Sequence, residues 1–252
     1  MRRTQFAQAK AGSPTTKWVV LLALAACHRN DPKPFGPRFF SDGTAQRVLC
    51  SKGLDRDHEW QHDTLSASLE HARDARVVLQ TYGHAPKLDF AEYVSDFDWA
   101  ANNGVRMVTF KDLANGFKGP GWAFTVDDND VDTWYGWRER LRQHHVKATF
   151  FVTGYDKLTE PQRQELRELA KDGHDIEAHG KAHENALDYI KAHDLDAYLR
   201  DEVLPSKTAL QGEGFAPIAF AYPYGAHNTT VDTAMLAHFQ LLRTTGAENC
   251  LK

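Results

Sequence analysis

The chain has 252 residues, of which 42% are hydrophobic and 25% charged, ordinary proportions for a globular protein and enough for one large domain or two small ones. A net charge of −4 at pH 7 gives no basis for nucleic acid or an anionic membrane surface as a partner.

The N-terminus reads as a leader. Residues 1–17 carry Arg2, Arg3, Lys10 and Lys17 and no acid, and Trp18–Ala26 is an unbroken apolar stretch, WVVLLALAA. That stretch is too short to span a bilayer and suits the core of a signal peptide. It runs into Cys27 through Leu24-Ala25-Ala26, which resembles the lipobox of bacterial lipoproteins. The resemblance implies lipidation of Cys27, export, and a membrane anchor facing the periplasm or the cell exterior. A plain secretory signal is the alternative. Residues 1–27 are then a signal peptide, 28–45 a Pro-rich tether beginning HRNDPKPFGP, and 46–252 the domain. With Cys27 used, Cys50 and Cys250 remain as an even pair in an oxidising compartment.

From about residue 75, short apolar runs alternate with longer helical patterns. ARVVLQTY (75–82) predicts a strand. LDFAEYVSDFDWAANNG (88–104) predicts a helix closed by Gly104. RMVTF (106–110) and WAFTV (122–126) read as strands, residues 131–144 as a helix, and VKATFFVTG (146–154) as a strand. Residues 158–173 predict a helix with Thr159 as its N-cap, Pro161 in the first turn and Gly173 as its stop. HDIEAHG (174–180) is a short strand, and residues 185–210 are helical with a break at Pro205. PIAFAYPYG (217–225) is a strand, 229–239 a helix and QLLRTTG (240–246) a strand. Strands alternating with long helices imply a parallel sheet in an α/β fold: a closed or nearly closed, distorted (β/α) barrel, with an open doubly wound sheet as the alternative. No Gly-rich phosphate loop follows any strand, which argues against a nucleotide.

Polar residues gather just beyond the strands: His84 after VVLQTY, Asp127 and Asp128 after WAFTV, His179 and His183 in HGKAH, and Tyr224 after FAYP. Parallel β/α folds build active sites there. With 13 histidines in the chain, about one pair at i,i+4 arises by chance, and His58 and His62 form such a pair. HGKAH is distinguished by its company. Two imidazoles and a carboxylate make a three-ligand metal site, and a second carboxylate can take a proton from water. VDDNDVD also fits a calcium loop in part, through Asp128, Asp130, Asp132 and Glu139, but Thr133 stands where Gly is needed.

Taken together, these motifs resemble the polysaccharide deacetylases. The family's Thr-Phe-Asp-Asp matches Thr125-Val126-Asp127-Asp128. Its His-Ser/Thr-x-x-His matches HGKAH, with Gly180 at the hydroxyl position, and its Pro-Tyr-Gly matches Pro223-Tyr224-Gly225. The resemblance implies Asp127 as general base. It makes Asp128, His179 and His183 ligands of a divalent metal, most often zinc, and gives the backbone N–H of Tyr224 to the oxyanion. It further implies an N-acetylated glycan as substrate. Where the family often has an Arg that orients the base, this chain has Ala221. The family's closing strand, with its Leu-x-His motif, is missing after QLLRTTG; ARVVLQTYGH and the segments behind it resemble it at the front instead. A circular permutation follows, with His84 as general acid and Asp55 or Asp57, with Trp60, as the acid's support. Cys50 and Cys250 would flank the new break, and a disulfide between them would staple it. O-deacetylation of a glycan ester and a non-catalytic carbohydrate-binding lipoprotein are the competing readings.

Overall fold

Alternation with a period of two sorts the strand residues of this chain into an inward and an outward set. The computed structural model describes residues 32–44, 46–58, 62–246 and 249–251; residues 1–31, with Cys27, and Trp60 lie outside them. Nine strands are described: β1 Phe40–Ser41, β2 Val48–Gly53, β3 Val78–His84, β4 Arg106–Met107, β5 Gly121–Asp128, β6 Ala148–Val152, β7 Asp175–Ala178, β8 Ala219–Ala221 and β9 Leu241–Thr245. Seven of them form a closed parallel ring in the order β2, β3, β5, β6, β7, β8, β9 and back to β2. The ring is closed, where the sequence left open whether closure would be complete.

Closure depends on β3 and β5, which pair from Val78–Gly121 to His84–Asp127. The weaker seam is β2 to β3, which meet at Lys52–Thr81 and Gly53–Tyr82. Below that short contact β1 runs antiparallel along β3, Phe40 opposite Leu79. The segment expected as tether is therefore part of the fold from Phe35 onward: Phe35 and Phe39 are buried, and Phe35 N–H donates to Ser68 Oγ.

Outward residues such as Trp122, Phe124, Phe150 and Leu242 pack under the surrounding helices. Inward residues change character along the barrel. Near the N-terminal ends of the strands they are apolar: Leu49, Val78, Ala123, Ala219 and Leu241. That end is plugged by a short helix, Phe110–Ala114, whose Phe110 ring meets Phe151 edge-on at 5.0 Å. Thr109 starts the helix with a capping box to Asp112, which satisfies two of the first-turn N–H groups. This corrects the expected strand at 106–110: two residues pair with β5, and the cap then turns the chain into the helix.

The helix at Glu160–Lys171 begins at Thr159, with Gln162 completing its capping box. The long helical run breaks at His193, not at Pro205, because Asp194 caps a new helix with its side chain on Ala197 N–H. Pro205 follows directly on the π-helical turn Leu199–Val203, where the hydrogen-bond ladder changes register, and helix continues through it to Gly212. Among the described residues no helix is long and apolar enough to cross a membrane.

Candidate active site

The C-terminal ends of the strands open into a cavity of about 510 Å³ lined by His84, Asp127, Asp128, His179, His183 and Tyr224, among others. Every residue singled out from the strand ends is thus in one place. Each has a distinct setting.

Asp127 faces inward and is 2% exposed. Its Oδ2 accepts from Arg243 Nη2, and its Oδ1 is buried and accepts no hydrogen bond among the described residues. Arg243 is itself 1% exposed, its Cζ 5.1 Å from the ring centroids of both Tyr82 and Phe151. The aromatic faces and the carboxylate together offset the cost of burying that guanidinium. Arg243 is the Cα partner of Ala221 in the β8–β9 register. The arginine missing at Ala221 is therefore supplied from the next strand. Sequence reading missed it because a lone Arg inside QLLRTTG shows neither its register nor its inward side.

Asp128 ends β5 with φ +84° and turns away from Asp127. Its Oδ1 lies 3.3 Å from His183 Nε2 and 3.7 Å from His179 Nε2, and the two Nε2 atoms are 3.2 Å apart. His179 Nδ1 donates to Ala221 O at 2.8 Å, which leaves the lone pair on Nε2. Burial, reinforced by the Arg243 charge, holds His179 far below its ordinary value, to about 3, so it is neutral. The Asp128–His179–His183 arrangement fits a divalent cation on its donor chemistry. Two ring nitrogens and a carboxylate oxygen converge, and Asp128 Oδ1 is buried with no hydrogen-bond donor to it among the described residues.

His84 ends β3 directly opposite Asp127. Its backbone N–H and its Nδ1 both bond Asp55, at 2.7 and 2.6 Å, so Nε2 is the nitrogen turned to the cavity, 3.9 Å from Asp128 Oδ2. Burial works against the imidazolium, but the Asp55 hydrogen bond and the charges of Asp127, Asp55 and Asp128 outweigh it and raise the His84 pKa. Of the two acids considered as its support, Asp55 is the one in place; Asp57 pairs with Lys87 on the surface. Tyr93 donates to Leu54 O at 2.5 Å and fixes the turn that carries Asp55.

Tyr224 has φ +58° in the turn after β8, and its exposed ring stands 4.7 Å from His183. Behind it, Asn249 Nδ2 donates to Tyr224 O at 3.2 Å. Cys250 is bonded to Cys50 of β2, with Cα atoms 5.7 Å apart. The calcium-loop alternative does not assemble: Val131–Gly136 is helical, and Asp132 Oδ2 accepts from Gln162 Nε2.

Comparison with known proteins agrees with this geometry. The family model for polysaccharide deacetylases matches residues 114–240. No curated protein sequence matches the chain. Among solved structures, the chain is similar to a de-N-acetylase from Aggregatibacter actinomycetemcomitans, with 17% identity, TM-score 0.53 and coverage of 79% of this chain and 87% of that one. It is similar to IcaB from Ammonifex degensii at 18% identity and TM-score 0.50, covering 79% and 84%. A polysaccharide deacetylase from Bacillus cereus gives 19% and TM-score 0.51, covering 79% of this chain and 57% of that longer one. At such identities the likeness is one of fold. With the family match over half its length, the motifs at the strand ends and the barrel that joins them, this chain belongs to the polysaccharide deacetylase family.

Proposed function

We propose that the chain hydrolyses N-acetyl groups on an N-acetylhexosamine polysaccharide, using a divalent metal, Asp127 as base and His84 as acid. The observation that carries this reading is the pairing of opposed groups around the candidate metal ligands. Asp127 is held by Arg243 with one free oxygen, and His84 is held by Asp55 with one free nitrogen.

When bound by Asp128, His179 and His183, a zinc ion or similar cation supplies a Lewis acid that lowers the pKa of water to about 7. The remaining work belongs to the chain. Arg243 holds and orients the Asp127 carboxylate, so Oδ1 accepts the proton of the attacking water. The backbone N–H of Tyr224 donates to the oxyanion as it develops. Asp55 holds the His84 ring by Nδ1, so Nε2–H gives its proton to the departing amine. An amide needs that proton more than an ester does, and the Asp55 hydrogen bond with the nearby carboxylates raises the His84 pKa against the effect of burial, in the direction that favours the protonated ring. This favours N- over O-deacetylation, as does the likeness to a de-N-acetylase.

Two further readings belong to the same proposal. The chain is a circular permutation of the family, with β3 and its His84 standing in for the usual closing strand. It is exported and anchored through a lipidated Cys27. The test of the reaction is acetate release from N-acetylglucosamine oligomers by residues 28–252. Release that a chelator abolishes and zinc restores is the expected result; no release with zinc bound overturns the reading in favour of an esterase or a binding lipoprotein. Incorporation of a labelled fatty acid in the wild type but not in Cys27→Ser checks the anchor.

A further inference from the structure

Gly180 is the position where this chain departs from the hydroxyl residue of the family motif, and its surroundings account for the departure. Its φ is +85°, and a Cβ there would overlap Oε1 of Glu202. Glu202 is 1% exposed and comes from the π-helical turn Leu199–Val203, far in sequence from any strand. Its Oε2 accepts from Ala182 N–H at 2.8 Å, and its Oε1 from Glu184 N–H at 2.9 Å. Its backbone carbonyl accepts from Lys181 N–H at 3.1 Å. The two peptide N–H groups on either side of His183 are thus bonded to one carboxylate. On the opposite side, Gly180 O accepts from Thr153 Oγ1 and Gly154 N–H, at 3.1 and 3.2 Å.

His183 has φ +63°. A non-glycine residue stays in that region only where its surroundings impose it. Among the described contacts, Glu202 supplies the imposition. A buried carboxylate is costly unless donors meet it, and here both oxygens are met. The exchange is reciprocal: the loop satisfies the carboxylate, and the carboxylate fixes the loop.

We propose that Glu202 is a positioning residue for the candidate metal centre. Admitted by Gly180, its carboxylate holds His183 in the left-handed conformation that turns Nε2 toward His179 and Asp128. This rests on the metal-dependent reading above and extends it to a residue that touches neither metal nor substrate.

The test is zinc affinity of the metal-free full chain, titrated in competition with a chromophoric chelator. Glu202→Gln keeps the shape but turns an amide N–H₂ toward a peptide N–H. Its zinc affinity is expected to fall about 10- to 100-fold, the usual effect of losing support behind a ligand. A packing role alone would leave affinity unmoved in this isosteric variant. Gly180→Ala, which displaces the carboxylate without altering it, is expected to weaken zinc similarly. The double variant should lose less than the product of the two single effects. Wild-type zinc affinity in a folded Glu202→Gln overturns the proposal. Should that variant not fold, wild-type affinity in Gly180→Ala overturns it equally. A wild-type chain that binds no zinc overturns the metal reading, and the proposal with it.

Discussion

The two ends of the barrel use the same inward-facing positions for opposite purposes. At the C-terminal end the inward residues are His84, Asp127, Arg243 and His179, each held by a named partner and each lining the cavity. At the N-terminal end they are mostly apolar and sealed by Phe110, with polar exceptions that include Thr149 and the carboxylates of Asp175 and Glu177. Glu177 Oε2 accepts from Ile218 and Ala219 N–H, and Asp175 Oδ2 accepts from Lys111 N–H, so these acids join strands and plug. The difference teaches that burial alone does not mark a functional acid in this fold. What marks one is a partner that leaves an oxygen or nitrogen free toward the mouth.

That contrast can be broken by substitution. His84→Ala should lower kcat about 10²- to 10⁴-fold, the range for a lost general acid, with zinc content unchanged in metal analysis. Phe110→Ala should do the reverse: about 3–5 kcal/mol lost in urea unfolding, with activity per folded molecule retained. Cys250→Ser should cost about 2–4 kcal/mol on the same measure and be matched by reducing the wild type. The smallest effect concerns pH. Burial, reinforced by the charge of Asp175, raises the Glu177 pKa above the ordinary 4.5. A group whose folded pKa is raised stabilises fully below its unfolded pKa and loses that contribution as pH rises through the folded one. Glu177→Gln should therefore flatten the decline of thermal midpoint from pH 5 to pH 8, while leaving the midpoint at pH 5 near the wild type. An unchanged pH slope would show that the acid pair does not titrate.

Much of the site was legible because its residues fall at strand ends, where apolar runs stop abruptly. Asp127-Asp128, HGKAH and Pro223-Tyr224-Gly225 announce themselves by position and spacing. Their supports do not. Arg243 becomes meaningful only through the β8–β9 register, and Glu202 only through the path of a helix that returns over the HGKAH loop. Neither distance is local in sequence. The fold was legible from residue 75 onward, and less so before it. β2 reads VLCSKG, whose polar second half hides a strand, and its inward Ser51 contributes no apolar signal. The helix His62–Ala75 buries Leu65, Ser68, Leu69 and Ala72, a stripe at helical spacing in which only two residues are strongly apolar. The tether was misjudged because a Pro-rich segment with three phenylalanines looks like a linker until Phe35 and Phe39 find a surface.

The pairing of β2 with β9 has a consequence for biogenesis. The disulfide beside that pairing spans 200 residues, and Val48–Leu242 to Ser51–Thr245 are matched across almost the same interval. Ring closure therefore waits on β9, made about 190 residues after β2, and until then the edge of β2 is open to any other unpaired strand. Contacts of such long range fold slowly. For this barrel, the hazardous interval is the time between the emergence of β2 and the arrival of β9, and an oxidising environment helps only after that interval has passed.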